Sequence, residues 1–289
     1  MYVKFWGTRG SVPVPGKDTI KYGGNTPCVE VRTSDNKLLI LDAGTGIRAL
    51  GYYIIQNEIN EPLDILLSHY HWDHIQGIPF FVPIYQKDRK ITFYGIPGSE
   101  ESIQKLLSKQ MGKDYFPIKI EDVPAKIKFE HIRPNESFKL DGLTIETYNV
   151  YHPSPTLTFK ISEKNKCVVY MTDNELDVKD ENDSNISEKV REKNEKLIHF
   201  CNKCDYLIHD MMFDEKLIKA KLGWGHSSNK ALANFAMLAQ VKNIVFFHYN
   251  PEYTDAKIDQ LLESTQAELK KNGSEINCIA SEEGLTISL

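Results

Sequence analysis

Leu63-Asp64-Ile65-Leu66-Leu67 runs directly into Ser68-His69-Tyr70-His71-Trp72-Asp73-His74. The first five residues read as a buried strand, and the loop after it carries three imidazoles and a carboxylate within six positions. Such groups need partners once they leave water, and packing alone does not provide them. Metal ions do. Imidazole with carboxylate suits zinc, iron or manganese, and a loop at a strand end can aim its ligands at two adjacent ions. A single buried histidine would ordinarily be structural; the grouping His69-x-His71-x-Asp73-His74 reads as a metal-binding loop.

Outward from this loop, short β-rich runs at residues 29–31, 38–41 and 63–67 alternate with Gly, Asn, Asp and Pro. Further strands are expected at 143–150, 156–161, 167–171, 206–208, 243–247 and 277–280. Helical spacing appears at Ile103, Leu106 and Leu107, at Leu232, Phe235 and Leu238, and at Ile258, Leu261, Leu262, Thr265 and Leu269. Gly273 stands where the last of these helices should stop. Strands first, then strands alternating with helices, indicate an α/β chain. The charged, Asn-rich stretch from Asp177 to Lys196 reads as a solvated loop entering a helix near Ser187, with a lid over the active site as the other reading. No repeat at solenoid periods is visible. Residues 1–289 are expected to form a single domain.

The histidine loop resembles the signature of the metallo-β-lactamase superfamily and matches it at all four ligand positions. The resemblance implies an α/β four-layer αββα sandwich and three further ligands at strand ends, in the order His, Asp, His. His152 follows the run 143–150, Asp173 ends Tyr170-Met171-Thr172-Asp173, and His248 ends Val245-Phe246-Phe247-His248. Carried over by position, one ion would be held by His69, His71 and His152 and the other by Asp73, His74 and His248, with Asp173 as the bridge. The implied cofactors are two divalent metal ions, zinc by default, with manganese or iron as alternatives. Leu41-Asp42-Ala43-Gly44-Thr45-Gly46 is also similar to this fold. Asp42 is expected to support the metal loop through hydrogen bonds, while the glycines permit a tight turn.

One branch of the superfamily fits further residues. Phe5-Trp6-Gly7-Thr8-Arg9-Gly10-Ser11 and Tyr22-Gly23-Gly24-Asn25-Thr26-Pro27-Cys28 are similar to the opening of ribonuclease Z-like phosphodiesterases. His209-Asp210-Met211-Met212 resembles the His-Glu-Ala-Thr element of that branch, with Asp in place of Glu, and His226-Ser227-Ser228 resembles its His-Ser-Thr element. These favour phosphodiester hydrolysis over lactam or thioester hydrolysis. Two ions make water a competent nucleophile at neutral pH and neutralise phosphoryl oxygens. The candidate catalytic residues are Asp73, His226 and Asp210: His226 would serve the leaving alkoxide, and Asp210 would orient that imidazole or the substrate. His209 reads as structural, and His131 and His199 match no motif. Tyr70 and Trp72 are read as packing residues or as the wall of a base pocket, and Arg9 and Asn25 as candidates to reach a phosphate.

Departures narrow the substrate. The ribonuclease Z pattern inserts a basic RNA-gripping arm between the fifth ligand and the bridging Asp. Here a single hairpin, 156–171, separates His152 from Asp173. The formal net charge of −5 also gives no general attraction for polyanions. A small phosphodiester such as a 3′,5′-cyclic nucleotide is therefore the expected substrate, and a long nucleic acid is not an expected partner. The alternatives are a ribonuclease Z-like RNA endonuclease and a metal-dependent lactonase or β-lactamase-like hydrolase. A flavodiiron oxidoreductase would call for a flavin domain, and a non-catalytic scaffold would have lost ligands.

The chain has 289 residues, 41% of them hydrophobic, enough for a substantial core. No secretory signal and no membrane-spanning apolar run stand out, so no membrane partner is expected. Five cysteines without a dense framework fit a reducing cytoplasm. Cys201-Asn202-Lys203-Cys204 has metal or redox spacing, but without a second pair it reads as thiols packed beside a helix end. A homodimer is allowed as a further partner.

Overall fold

Among the described residues, two seven-stranded sheets organise the chain, one in each of two units. The computed structural model describes residues 1–98, 101–176 and 186–289, the side chains of 186, 187, 189 and 190 excepted. Unit 1 comprises Met1–Pro15, Gly23–Arg133 and Glu282–Ser288, and unit 2 comprises Gly16–Tyr22, Pro134–Ser281 and Leu289.

In unit 1 the strands are β1 (Tyr2–Gly7), β2 (Cys28–Arg32), β3 (Leu38–Leu41), β4 (Leu63–Leu66), β5 (Lys90–Gly95), β6 (Lys126–His131) and the last strand of the chain, β14 (Thr286–Ser288). Their order is β14-β1-β2-β3-β4-β5-β6. The pairs from β3 to β6 are parallel, and those from β14 to β3 are antiparallel. β3 and β4 are buried along their whole length. Strands covered on both faces need apolar side chains on both, which is why these segments are nearly continuous hydrophobic runs. Among the described residues, the α-helices of this unit are α1 (Ile47–Gln56), the single turn α2 (Trp72–Ile75) and α3 (Ile103–Gln110). α1 turns Ile47, Leu50 and Ile54 into a core shared with Ile65, Phe81 and Phe93.

Unit 2 holds β7 (Ser137–Leu140), β8 (Leu143–Asn149), β9 (Leu157–Glu163), β10 (Lys166–Met171), β11 (Tyr206–Asp210), β12 (Asn243–Phe247) and β13 (Asn277–Ala280), ordered β13-β12-β11-β10-β9-β8-β7. The pairs from β10 to β13 are parallel and those from β7 to β10 antiparallel. Its helices are α4 (Ile186–Cys201), α5 (Asn229–Ala239) and α6 (Asp255–Lys271). The Ser228 and Thr254 side chains accept N–H bonds from Ala231 and Lys257 and so start α5 and α6. Leu232, Phe235, Leu207 and Phe246 share the core of this unit.

The expected runs correspond to β2, β3, β4 and β8 to β13, and the expected helices to α3, α5 and α6. α1 has no sequence counterpart, because its start at Gly46 lacks a capping side chain. The segment from Asp177 to Lys196 ends in helix, as α4 begins at Ile186; its loop and lid readings fall on 177–185, outside the described residues. Cys201 and Cys204 are buried free thiols at the end of α4, and burial pushes both thiols up. Among the described residues, no helix is long and apolar enough to cross a membrane.

Gly44 is fixed by its surroundings. A Cβ there would collide with the Asp73 carbonyl oxygen and stand 2.5 Å from Thr26 Oγ1. Gly44→Ala is expected to lower stability by about 1–3 kcal/mol, the usual cost of overpacking. The check is the urea midpoint of the variant against the parent; an unchanged midpoint would show that the turn has slack.

Candidate metal centre

The first set of ligand-type residues grows from the end of β4 in unit 1. Asp42, just beyond β3, is fully buried and adopts φ 57°. Its Oδ1 accepts the Ser68 N–H at 2.8 Å, and its Oδ2 accepts the Ser68 hydroxyl at 2.9 Å and lies 2.7 Å from His74 Nδ1. A carboxylate on Nδ1 leaves Nε2 available as a donor to a metal, the usual support of a metal-bound histidine. Ser68 Oγ also lies 3.0 Å from His69 Nδ1. The rings of His69 and His71 have centroids 4.5 Å apart, and those of His69 and His74 4.2 Å apart. Asp73, on α2, receives the Ser11 N–H at 2.7 Å on Oδ2. The expected support by Asp42 is thus present.

The second set lies beyond the strand ends of unit 2. Asp173, after β10, points Oδ1 at His248 Nε2 (3.2 Å) and Oδ2 at His152 Nε2 (3.8 Å). The carboxylate therefore faces both imidazoles, one oxygen toward each. His152 Nδ1 lies 3.0 Å from the Gly225 carbonyl, which turns Nε2 toward Asp173. His248, after β12, sits at φ 53°. His226 stacks on His248 with centroids 5.3 Å apart and an interplanar angle of 19°, and stands edge-on to His152. Asp210, at the end of β11, is fully buried; Oδ2 accepts the Ser227 N–H at 3.1 Å and lies 3.5 Å from His226 Nδ1. His209 is fully buried between the Asp210 carbonyl and Asn174, and burial pushes its imidazole down, toward the neutral form.

Imidazole and carboxylate donors fit zinc, manganese or iron. Within unit 1, ligand-capable atoms of His69 and His71, and of Asp73 and His74, lie within 4.8 Å of each other. In unit 2, those of Asp173, His226 and His248 lie within the same distance, as do those of His152 and Asp173. The donor sets fit divalent ions.

Other sequence readings change. Arg9 is fully buried with Nε donating to the Gly23 carbonyl, so it braces its loop and does not reach outward. Asn25 donates through both backbone and side chain to Glu283. Tyr70 is a packing residue whose hydroxyl donates to the Ile96 carbonyl, whereas Trp72 is 76% exposed. One residue carried no sequence signal: the buried Glu175 carboxylate accepts the N–H groups of Gly223 and Gly225 at 2.8–2.9 Å. Gly225 sits at φ +83°, and a Cβ there would collide with the His152 ring.

Glu175 thereby fixes the loop that bears both His226 and the carbonyl facing His152. Glu175→Ala leaves the buried N–H of Gly225 and the N–H of the exposed Gly223 without their acceptor and should cost about 2 kcal/mol. Denaturant unfolding measures this, with Glu175→Gln expected to fall between the two; an unaltered midpoint would remove the bracing role.

Comparison with known proteins places these residues in a family. The description "Beta-lactamase superfamily domain" matches residues 38–249. Ribonuclease Z of Picrophilus torridus is 26% identical, with 89% of this chain and 88% of that protein covered. Ribonuclease Z of Thermoplasma acidophilum is 25% identical, with 92% and 91% covered. Among solved structures, the metallo-beta-lactamase fold protein YhfI from Bacillus subtilis gives a TM-score of 0.70 at 17% identity, over 99% of this chain and 98% of that one. Unliganded yeast PDE1 gives 0.68 at 18% identity, over 100% and 99%.

These relatives correct one expectation, that a long nucleic acid is not a partner: full-length similarity is to proteins named for acting on RNA. The reason is physical. Net charge is a sum over the whole surface, whereas phosphates meet local charge, and an arm missing from one loop leaves other loops to provide it. The chain belongs to the beta-lactamase superfamily and is a hydrolytic enzyme with the metallo-β-lactamase α/β sandwich fold.

Proposed function

We propose that the chain is a two-metal phosphodiesterase acting on RNA in the manner of a ribonuclease Z. One divalent ion would be held by His69, His71 and His152, the other by Asp73, His74 and His248, with Asp173 shared between them. Zinc is the default, with manganese or iron accepted by the same donors. The observation that carries the reading is the Asp210–His226 pair beside Asp173 and His248, an arrangement with no evident use in lactam or lactone hydrolysis.

When bound, the ions supply Lewis-acid activation of water and charge neutralisation at the phosphoryl centre. The chain's own residues do the rest. Asp210, on the Nδ1 side of His226, directs Nε2 the other way, where it donates a proton to the leaving alkoxide. His209, buried and pushed toward neutrality, keeps a second positive charge away from that proton donor. All five cysteines are free, which suits a reducing cytoplasm.

A second reading, a small phosphodiester as substrate, is favoured by one observation. β9 and β10 pair from Glu163 and Lys166 onward, so their connection has no room for an inserted arm.

Asp173→Ala should abolish activity and bind less metal than the parent, read by elemental analysis of the purified protein; two tightly held ions in that variant would reject the assignment. His226→Ala should keep both ions and lose roughly 10²–10⁴-fold in turnover. Loss of metal would instead make His226 a ligand. For substrate class, the metal-loaded protein is assayed on precursor transfer RNA, an aryl phosphodiester, cyclic AMP, cyclic GMP, a cephalosporin and a lactone. RNA cleavage supports the main reading, and cyclic-nucleotide turnover with inert RNA supports the second. Turnover of the lactam or lactone alone defeats both.

A further inference from the structure

The loop from Asp214 to Gly225 has no part in holding metal, yet it leads directly into His226. Its sequence, Asp214-Glu215-Lys216-Leu217-Ile218-Lys219-Ala220-Lys221-Leu222-Gly223-Trp224-Gly225, carries three lysines and a tryptophan. The loop is fixed at both ends. At its start, Asp214 Oδ1 accepts the N–H groups of Lys216 and Leu217, Oδ2 pairs with Lys257 at 2.7 Å, and Ile218 is buried against Met212 and Phe213. At its end, Glu175 holds Gly223 and Gly225.

Between those anchors the loop presents its functional groups outward. Lys216 and Lys219 are exposed, Lys221 is half-buried, and Trp224 is 56% exposed with the Lys221 Nζ 3.6 Å from the centre of its ring. Of the acidic residues of the loop, Asp214 is committed to Lys257 and Glu215 is half-buried. A second aromatic lies nearby along the backbone. Tyr151, 71% exposed, precedes His152, whose ring meets the carbonyl of Gly225, the residue after Trp224.

We propose that this loop, through Lys216, Lys219, Lys221 and Trp224, is the surface that grips single-stranded RNA beside the candidate catalytic His226. Lysines neutralise successive phosphates, and an exposed indole offers a face on which a base stacks regardless of sequence. Backbone charge and a stacking platform are the two elements that binding of a single strand uses. The loop therefore replaces the missing arm with a short, rigid contact. This inference rests on the RNA reading of the proposed function.

The test measures binding of a fluorescein-labelled single-stranded RNA to the metal-loaded full chain by anisotropy, across a range of salt. Trp224→Ala is expected to weaken binding about tenfold. A triple Lys216→Ala, Lys219→Ala, Lys221→Ala variant should weaken it at least as much and reduce the slope of log affinity against log salt by about 2. A control with the same charge change elsewhere, Lys87→Ala, Lys90→Ala, Lys128→Ala, should bind as the parent does. Melting temperature and metal content of each variant establish that it is folded, and the lysine triple gives a second variant beside Trp224→Ala. Loop variants that bind like the parent, or a control triple that loses as much, overturn the loop while leaving the RNA reading intact. A parent that hydrolyses the aryl phosphodiester but binds no RNA overturns the loop and the RNA reading together, and leaves the phosphodiesterase chemistry standing.

Discussion

The buried carboxylate of Asp42 meets three donors at once, and the histidine loop of unit 1 takes its shape from that demand. An ionised group removed from water must be fully paired, and leaving such a group without one partner costs several kcal/mol. Ser68 supplies two of the donors, and His74 Nδ1 lies within reach as the third. To present its carboxylate there, Asp42 adopts a left-handed backbone that most side chains avoid and Asp tolerates. The order this imposes passes along Ser68 to His69, so that imidazoles separated along the chain end as neighbours. Unit 2 repeats the logic with Asp210, whose two oxygens tie Ser227 and Asn174 in place beside His226.

Much of the candidate centre is legible because residue types that can ligate metal stand at strand ends. His69, His71, Asp73 and His74 announce themselves by crowding, whereas His152, Asp173 and His248 come from the resemblance to the metallo-β-lactamase superfamily, which directs attention to the ends of three strand-like runs. What stayed hidden acts through the backbone or by packing. Glu175 works on the N–H groups of two glycines 48 and 50 residues away, a relation with no local pattern. Arg9 looks like a phosphate ligand in a glycine-containing loop, yet its guanidinium is fully buried against the Gly23 carbonyl. α1 starts without a capping side chain, and edge strands such as β14, three residues long, are too short to show a period.

The reading of partner chemistry failed for a different reason. A chain with 40 acidic and 35 basic residues is acidic only as an average. Polyanions respond to the potential within a Debye length of where they lie, about 8–10 Å at physiological salt, so the sign of the total says little about a single loop.

Because the loop from Asp214 to Gly225 begins and ends on carboxylates that belong to the scaffold, its interior is insulated from the chemistry beside it. On the role proposed for this loop, exchanges between the anchors would alter what binds there while leaving the contacts of Asp173, His248 and the carbonyl opposite His152 in place. Such a segment would be a cassette: selection could rewrite specificity there in small, separately tolerated steps, while the residues outside it were inherited unchanged.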